Sequence, residues 1–433
     1  MTRYRGITLF LTAASLLRAQ ADPLLYQLDG VWRAEFNAEA SRLMVQMRDG
    51  ALGLWDVASG QPVAGDLGTL RHQGTFATDA THRHLVAGFR EGGSQVYNFS
   101  TGRAVSPVLK VSFDTTQGAS PVFSADSSLL LVFDKTGPCH VLEVALGTTR
   151  AVLPLPPPSA DFERQPRAEF SKDGNTVLLL DTSGILHRYD TRSWSQTGQP
   201  MIHPGRDAYN CGFAMSADAR FAVPFDSPGE NGPDGQLQLW DTTTATPLAA
   251  PLAGKNGMAG QFLGDGHRLL IQPGRGETRV VEVPSLKMAY SLPPHDDVEA
   301  TKVILTGDGH HLLTWGQDSF LKQVSVSDGK LAGLFSNRAR LETILIGPDP
   351  KTAWLAYDNT AFLLEHHHDH YLIRIDLGTM QAAASLRTTN YLHRSQLSPD
   401  GTRIMIHEGL TDHERIRLFE SSSLSELPAS KDQ

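Results

Sequence analysis

Apolar positions along this chain come in short bursts rather than on helical faces. In the stretch 170–190 two apolar runs, Thr176–Leu180 and Ile185–Tyr189, are split by Asp181-Thr-Ser-Gly184. Runs of about five residues are too short for helices, and a turn cluster between them marks an antiparallel hairpin. A strand carrying Phe170 precedes the hairpin, joined to it by the turn at Asp173-Gly174, where Asp and Gly both tolerate a left-handed backbone. A weaker fourth strand follows, as in Gln61-Pro-Val-Ala64. This four-strand unit repeats along the whole chain at a period of about 40–45 residues, the signature of stacked supersecondary units.

Two markers keep the repeat in phase. The first is an apolar residue followed three positions later by an acid, as in Phe123-Ser-Ala-Asp126, Phe170-Ser-Lys-Asp173 and Leu397-Ser-Pro-Asp400. Its acids are Glu39, Asp79, Asp126, Asp173, Asp218, Asp265, Asp308, Asp349 and Asp400. The second is a bulky residue followed by a polar one, best seen in Trp55-Asp56 and Trp240-Asp241. Its polar residues are Asp56, Asn98, Glu143, Asp190, Asp241, Glu282, Ser325, Asp376 and Glu420, with Val324-Ser325 the weakest copy. In five of the nine units the markers stand 17 residues apart: 39 to 56, 126 to 143, 173 to 190, 265 to 282 and 308 to 325.

Four short strands per unit build the blade of an all-β propeller of antiparallel blades. The count predicts nine blades, or eight if one degenerate unit belongs to its neighbour. The last unit ends with three strands and a polar tail, whereas Leu24–Leu28 stands alone before the first. Pairing this segment with the last blade closes the ring and removes the exposed edges. The pattern Phe-Ser-x-Asp-Gly, apolar strand, turn, Trp-Asp-x-x-Ser/Thr-Gly resembles the WD-repeat β-propeller family over nearly all of the chain after residue 21. The Gly-His pair that often opens such repeats is missing; Gly266-His267 and Gly309-His310 fall after the first marker.

The first 21 residues read as a secretory signal: Arg3 and Arg5, the uncharged apolar stretch Ile7–Leu17, then Ala19-Gln20-Ala21 before Asp22. The domains expected are therefore a signal at 1–21 and a propeller at 22–433, exported to a periplasmic or extracellular space. The apolar stretch is too short to span a bilayer. Removing Arg3, Arg5 and Arg18 takes the net charge from −9 to −12 (−9 − 3), which argues against nucleic acid and anionic membranes as partners. Cys139 and Cys211 lie in the third and fifth units, too far apart to bridge, and read as reduced, buried thiols.

The extra residues fall selectively. The marker gap grows to 23 residues in the fifth unit, around Asp226–Gly235, and to 27 in the eighth, around Asp358–Tyr371. Both lie between second and third strands. The segment Leu153–Arg167 joins two blades and is also long. Connections of these two kinds emerge on one face of a propeller, and insertions in repeat proteins collect on the binding face. The expected partner is a protein or peptide, held by a monomer. Its expected contacts are Ser227, Glu230, Asn231 and Asp234 of the first insertion, Asp161, Phe162 and Arg164 of the inter-blade segment, and Trp194.

Glu365-His-His-His-Asp-His370 is the densest cluster of metal-binding types. On an extended segment His366, His368 and His370 share a face, about 6.5–7 Å apart, and are the candidate metal ligands. His72, His203, His295 and His393 sit in loops entering inner strands, where a structural hydrogen bond is the reading. No nucleophile elbow, phosphate loop or carboxylate pair is visible, and Gly254-Lys255 lacks P-loop spacing. No cofactor is expected. The inner-strand segments Ala119–Phe123, Ala168–Phe170, Gly212–Met215 and Gly260–Phe262 are small or apolar apart from Glu169 and Gln261. These features favour a non-enzymatic scaffold. The alternatives are an enzyme with its site at the channel mouth, which other propellers support, and a metal-handling envelope protein using the histidine cluster.

Overall fold

The computed structural model describes residues 24–422, apart from 65–66, 69, 71–75, 112, 114–119, 134–137, 157–165, 204–210, 227–233, 265, 296–301, 317, 337–339, 359–369, 389–391 and 409–414. The described residues contain strands and turns but no helix, so none is long and apolar enough to cross a membrane.

The strands form nine antiparallel units in chain order. Blade four shows the pattern: Arg167–Phe170, Thr176–Leu180, Ile185–Asp190 and Met201–Ile202, each paired with the next. Blade nine takes three strands from 392–420, and Leu24–Asp29 pairs with Arg415–Glu420 as its outermost strand, as the repeat count requires. The outer edge of blade two is held by isolated bridges, Tyr97 to Ala104 and Ser94 to Leu109.

The second strands are buried on both faces. All five residues of Thr176–Leu180 are inaccessible, which is why they read as continuous apolar runs rather than alternating ones. Each junction between neighbouring blades has its own apolar cluster. Phe76 and Leu85 of blade two pack on Met44 and Leu54 of blade one. Leu178 and Leu180 of blade four meet Ala222 of blade five. Val31 and Phe36 of blade one pack on Ile416 and Leu418 of blade nine, and His407 of blade nine reaches the Val31 carbonyl at 3.0 Å. The first and last blades are therefore neighbours, as closure of the ring requires. Each fully buried Leu or Phe contributes roughly 1.5–3 kcal/mol. Cys139 is buried in the cluster between blades three and four, and burial raises its thiol pKa.

The constant marker spacing has a structural cause. The residue three beyond the first-marker acid faces the second-marker residue across the central hairpin: Arg42 and Asp56, Leu129 and Glu143, Thr176 and Asp190, His311 and Ser325, Arg403 and Glu420. The markers thus bracket one hairpin, and extra length enters only its far turn. In blade two the paired residues are His84 and Asn98. The acid position there belongs to Thr81, not Asp79, and the true gap, 81 to 98, is again 17 residues. Asp79 occupies the Ser position of other units, accepting the Arg83 amide through Oδ1 at 2.9 Å. Phe76-Ala-Thr-Asp79 thus lies two residues out of register with the marker.

Both markers act as turn locks. Ser171 Oγ donates to Asp173 Oδ1 at 2.6 Å and accepts the Thr176 amide at 3.0 Å. The same pair of bonds recurs at Ser124, Ser216, Thr306 and Ser398. At the other turn, Asp190 Oδ1 accepts the amide and hydroxyl of Ser193, and Asp56 and Asp376 do the same for Ser59 and Thr379. Each lock leads into a left-handed residue. One follows the first-marker acid at Gly174, Gly309 and Gly401, but also at Ala40, His82, Ser127 and Ala219. The other comes four residues after the second marker, at Gly60, Gly102, Gly147 and Gly329, but also at Trp194, Ala245, Leu286 and Met380.

Candidate partner-binding face

Antiparallel alternation puts the two locked turns of every blade at one end of the ring. The second-to-third-strand connections and the links between blades lie at the other. The two ends are built differently. The marker end carries turns of uniform length, tied across blades by bonds such as Ala38 amide to His82 carbonyl (3.0 Å) and Ser127 Oγ to Asp79 Oδ2 (2.6 Å). The opposite end holds the connections of variable length.

Histidines and acids pin the bases of these connections. His203, just beyond the outer strand of blade four, is buried and contacts Asp226 Oδ1 of blade five at 2.8 Å. Asp226 Oδ2 accepts the Gln236 amide at 3.0 Å, so this carboxylate clamps both stems of the fifth unit's insertion. His295 lies between Asp318 (2.8 Å) and Thr314 Oγ1 (3.0 Å) of blade seven. Because a carboxylate only accepts, Nδ1 of His295 donates to Asp318. The structural reading of His203 and His295 holds; His72 and the side chain of His393 lie outside the described residues. In blade nine Glu408 is wholly buried. It accepts from Thr388 of blade eight and pairs with Arg415 and Arg417. Burial raises the Glu408 pKa, but these three partners outweigh burial and hold it below the ordinary value. Asp181 similarly accepts the Ser183 and Ile185 amides and faces His187 at 3.0 Å.

These acids form a third marker. Asp181, Asp226 and Glu408 each stand eight residues beyond the first-marker acid (173, 218 and 400), as does Asp134 in the third unit, which lies outside the described residues. The signal was present in the sequence. Once two markers had phased the repeat, the offset itself would have exposed it.

Blades five and six are joined by a shared strand. The eleven-residue strand Leu252–Phe262 begins as the outer partner of Gly235–Leu237 in blade five. It then becomes the inner strand of blade six, paired with Arg268–Arg275. A bulge between Lys255 and Met258 separates the two roles, with Asn256 at φ 58° and Gly257 at φ 86°. Gly254-Lys-Asn-Gly257, which has no phosphate-loop spacing, serves this bend. Beside it opens a recess of about 420 Å³ whose lining includes Asp234, Lys255, Met258, Arg275, Glu277 and Arg279. Asp234 is exposed and borders the insertion.

The expected contact residues do not gather at one place. Asp234 lies on the variable face, but Trp194 sits in a locked turn at the opposite end. Its ring is half-buried and meets Phe170 edge-on, with centroids 6.5 Å apart. Trp194 therefore does not join the other expected contacts on the variable face: it fills a left-handed turn position and packs on its own blade. Ser227, Glu230, Asn231, Asp161, Phe162 and Arg164 lie outside the described residues. So do His366 and His368. His370 starts the strand His370–Asp376, is 3% exposed, and faces Asp358 and Thr388 in the ladder. Among the described residues no three metal-binding side chains come together.

The inner strands are more polar than blades three to six suggested. Arg33, Glu35, Lys302, Glu342 and Arg394 stand on the inner strands of blades one, seven, eight and nine. Arg33 and Arg394 also line a recess of about 220 Å³ at the junction of the last and first blades, with Trp32, Ser395, Gln396 and His407.

A solved structure agrees with this architecture. The C-terminal WD40 domain of Sif2 superposes with a TM-score of 0.52 over 92% of this chain and 97% of that domain, at 14% identity. The computationally designed Ika8 protein gives a TM-score of 0.49 at 13% identity, over 76% of this chain and 93% of that one. The fold is a WD40-like β-propeller. No family model and no curated protein matches the sequence.

Proposed function

We propose that this chain is an exported, non-enzymatic scaffold that holds a protein or peptide partner across the face made of the second-to-third-strand and inter-blade connections. One observation carries the reading: extra length enters at that face alone, on pinned stems. The insertions open after Asp226 and Asp358 and close at Gly235 and His370, and Asp226 clamps the first of them. Rigid stems carrying variable connections are how a scaffold separates stability from recognition. WD40 propellers commonly serve as interaction scaffolds, which supports the reading at the level of the fold.

The test compares cross-linked partners of the natural protein, a variant with 227–233 and 359–369 shortened, and a control altered at the marker end. A protein captured by the natural chain and the control but lost from the shortened variant supports the reading. Equal capture by all three overturns it. Export rests on the basic start, the apolar stretch and the Ala19-Gln20-Ala21 site. N-terminal sequencing of chain recovered outside the cytoplasm should begin at Asp22; an intact Met1 in the cytoplasm would refute export.

A further inference from the structure

Resting on that reading of the face, we infer that the recess between blades five and six binds an acidic, extended peptide segment of the partner. An unfavourable pairing marks the recess. Lys255 and Arg275 are both exposed and stand directly opposite each other where the two longest strands of blade six meet. Like charges directly opposite in an antiparallel ladder repel. Blade registers elsewhere place acids against such cations, as with Arg42 and Asp56 or Arg403 and Glu420. Here no carboxylate among the described residues pairs with either cation. Arg279 adds a third cation on the neighbouring strand, facing Ile271 in the ladder.

The floor between the cations is apolar. Pairing of Met258 with Pro273 and of Ile271 with Arg279 sets Met258, Pro273 and Ile271 on the same face as the three cations. Asp234 and Glu277 line the recess too, leaving it at +1 (3 − 2) in a chain of net charge −9. Met258 and Ile271 are each about 1% exposed, so half-buried Pro273 is the apolar surface left open to one aliphatic side chain, and the cations suit carboxylates on either side of it. The segment recognised is therefore acid–aliphatic–acid, with one carboxylate shared by Lys255 and Arg275 and the other on Arg279. The close backbone approach at the bulge fixes these positions. A Cβ on Gly274 would lie 2.0 Å from the Asn256 carbonyl oxygen, and one on Gly235 would lie 2.5 Å from Gly257 Cα.

The probe is a fluorescein-labelled peptide of sequence Gly-Glu-Leu-Glu-Gly, titrated with chain 22–433 by anisotropy at 20 and 150 mM salt. A Gly-Lys-Leu-Lys-Gly peptide serves as control. The acidic peptide should bind and weaken with salt, the basic one should not, and Lys255→Glu with Arg275→Glu should weaken binding at least tenfold. Lys255→Gln with Arg275→Gln, which leaves the bulge glycines intact, replaces this pair if the reversal fails to fold by circular dichroism. Binding of both peptides alike, binding unaffected by the variants, or no binding up to 1 mM overturns the inference. Cross-linking the reversed variant separates the two claims. A partner lost with the shortened loops but retained by the reversed variant leaves the face intact and removes the recess.

Discussion

At the scale of single residues, the left-handed turn positions of the blades decide which substitutions matter. Gly174 (φ 70°) and Gly309 (φ 72°) have no atom within 4 Å of an added Cβ. Replacing either by Ala therefore costs only the backbone strain, about 1 kcal/mol. Gly329 (φ 72°) sits in the other lock, and a Cβ there would lie 2.4 Å from the Tyr290 ring. Gly329→Ala should cost at least about 3 kcal/mol. Urea unfolding of the variants checks the ranking; equal losses would show that the Tyr290 contact relaxes. The locking carboxylates add a pH dependence. The Ser171 hydroxyl, then Asn175, hold Asp173 at about 2 against an ordinary 3.8. Asp126 and Asp308 are also lowered, chiefly by the Ser124 and Thr306 hydroxyls. A depressed folded-state pKa stabilises above the unfolded value, and that stability disappears as the carboxylate protonates. The Tm should fall between about pH 4 and 2, and the gap between the natural protein and Asp173→Asn should narrow over the same window.

At the scale of elements, the shared strand Leu252–Phe262 and the clasp at Glu408 are the places where one blade depends on another. Gly274→Ala drives a methyl into the Asn256 carbonyl at 2.0 Å and should cost more than about 3 kcal/mol. Asn256→Gly, at φ 58°, should be neutral or mildly stabilising. Thermal melts of the two variants should move apart, and a Gly274→Ala chain with unchanged Tm would argue against the close approach. Glu408→Gln leaves Arg415 and Arg417 without their buried counter-charge and should destabilise by about 3 kcal/mol, measured by urea unfolding. A loss under 1 kcal/mol would show that water takes over the pairing.

At the scale of the whole molecule, the ring depends on a segment distant in sequence. Leu24–Asp29 completes blade nine along the edge of Arg415–Glu420, and blade nine packs on blade one. Deleting 24–29 leaves that edge open, so the chain should lose cooperative unfolding and self-associate through the bare strand. Sedimentation and thermal melting of the truncated chain check this; a monomer with unchanged Tm would mean the closing strand is dispensable.

Much of this was legible in the residues because hydrogen-bonded turns need particular side chains at fixed offsets. Ser-Lys-Asp173-Gly174 announces its turn, and the 17-residue offset measures a hairpin whose two ends must face each other. The all-β class, the blade count and the closing strand follow from such local chemistry. Elsewhere the local signal failed. Phe76-Ala-Thr-Asp79 imitates a marker two residues out of register, and only pairing across the hairpin assigns Thr81 to the position. Trp194 looks like a free aromatic until its left-handed turn and its contact with Phe170 place it on the marker end. The opposition of Lys255 and Arg275, the clamp on Asp226 and the ion cluster at Glu408 join residues 7 to 23 positions apart or on different blades. Which turns form, and how often they repeat, follows from the residues alone, because those bonds are local. Which side chains meet between blades follows only from the folded molecule, because it depends on how the completed sheets stack against one another.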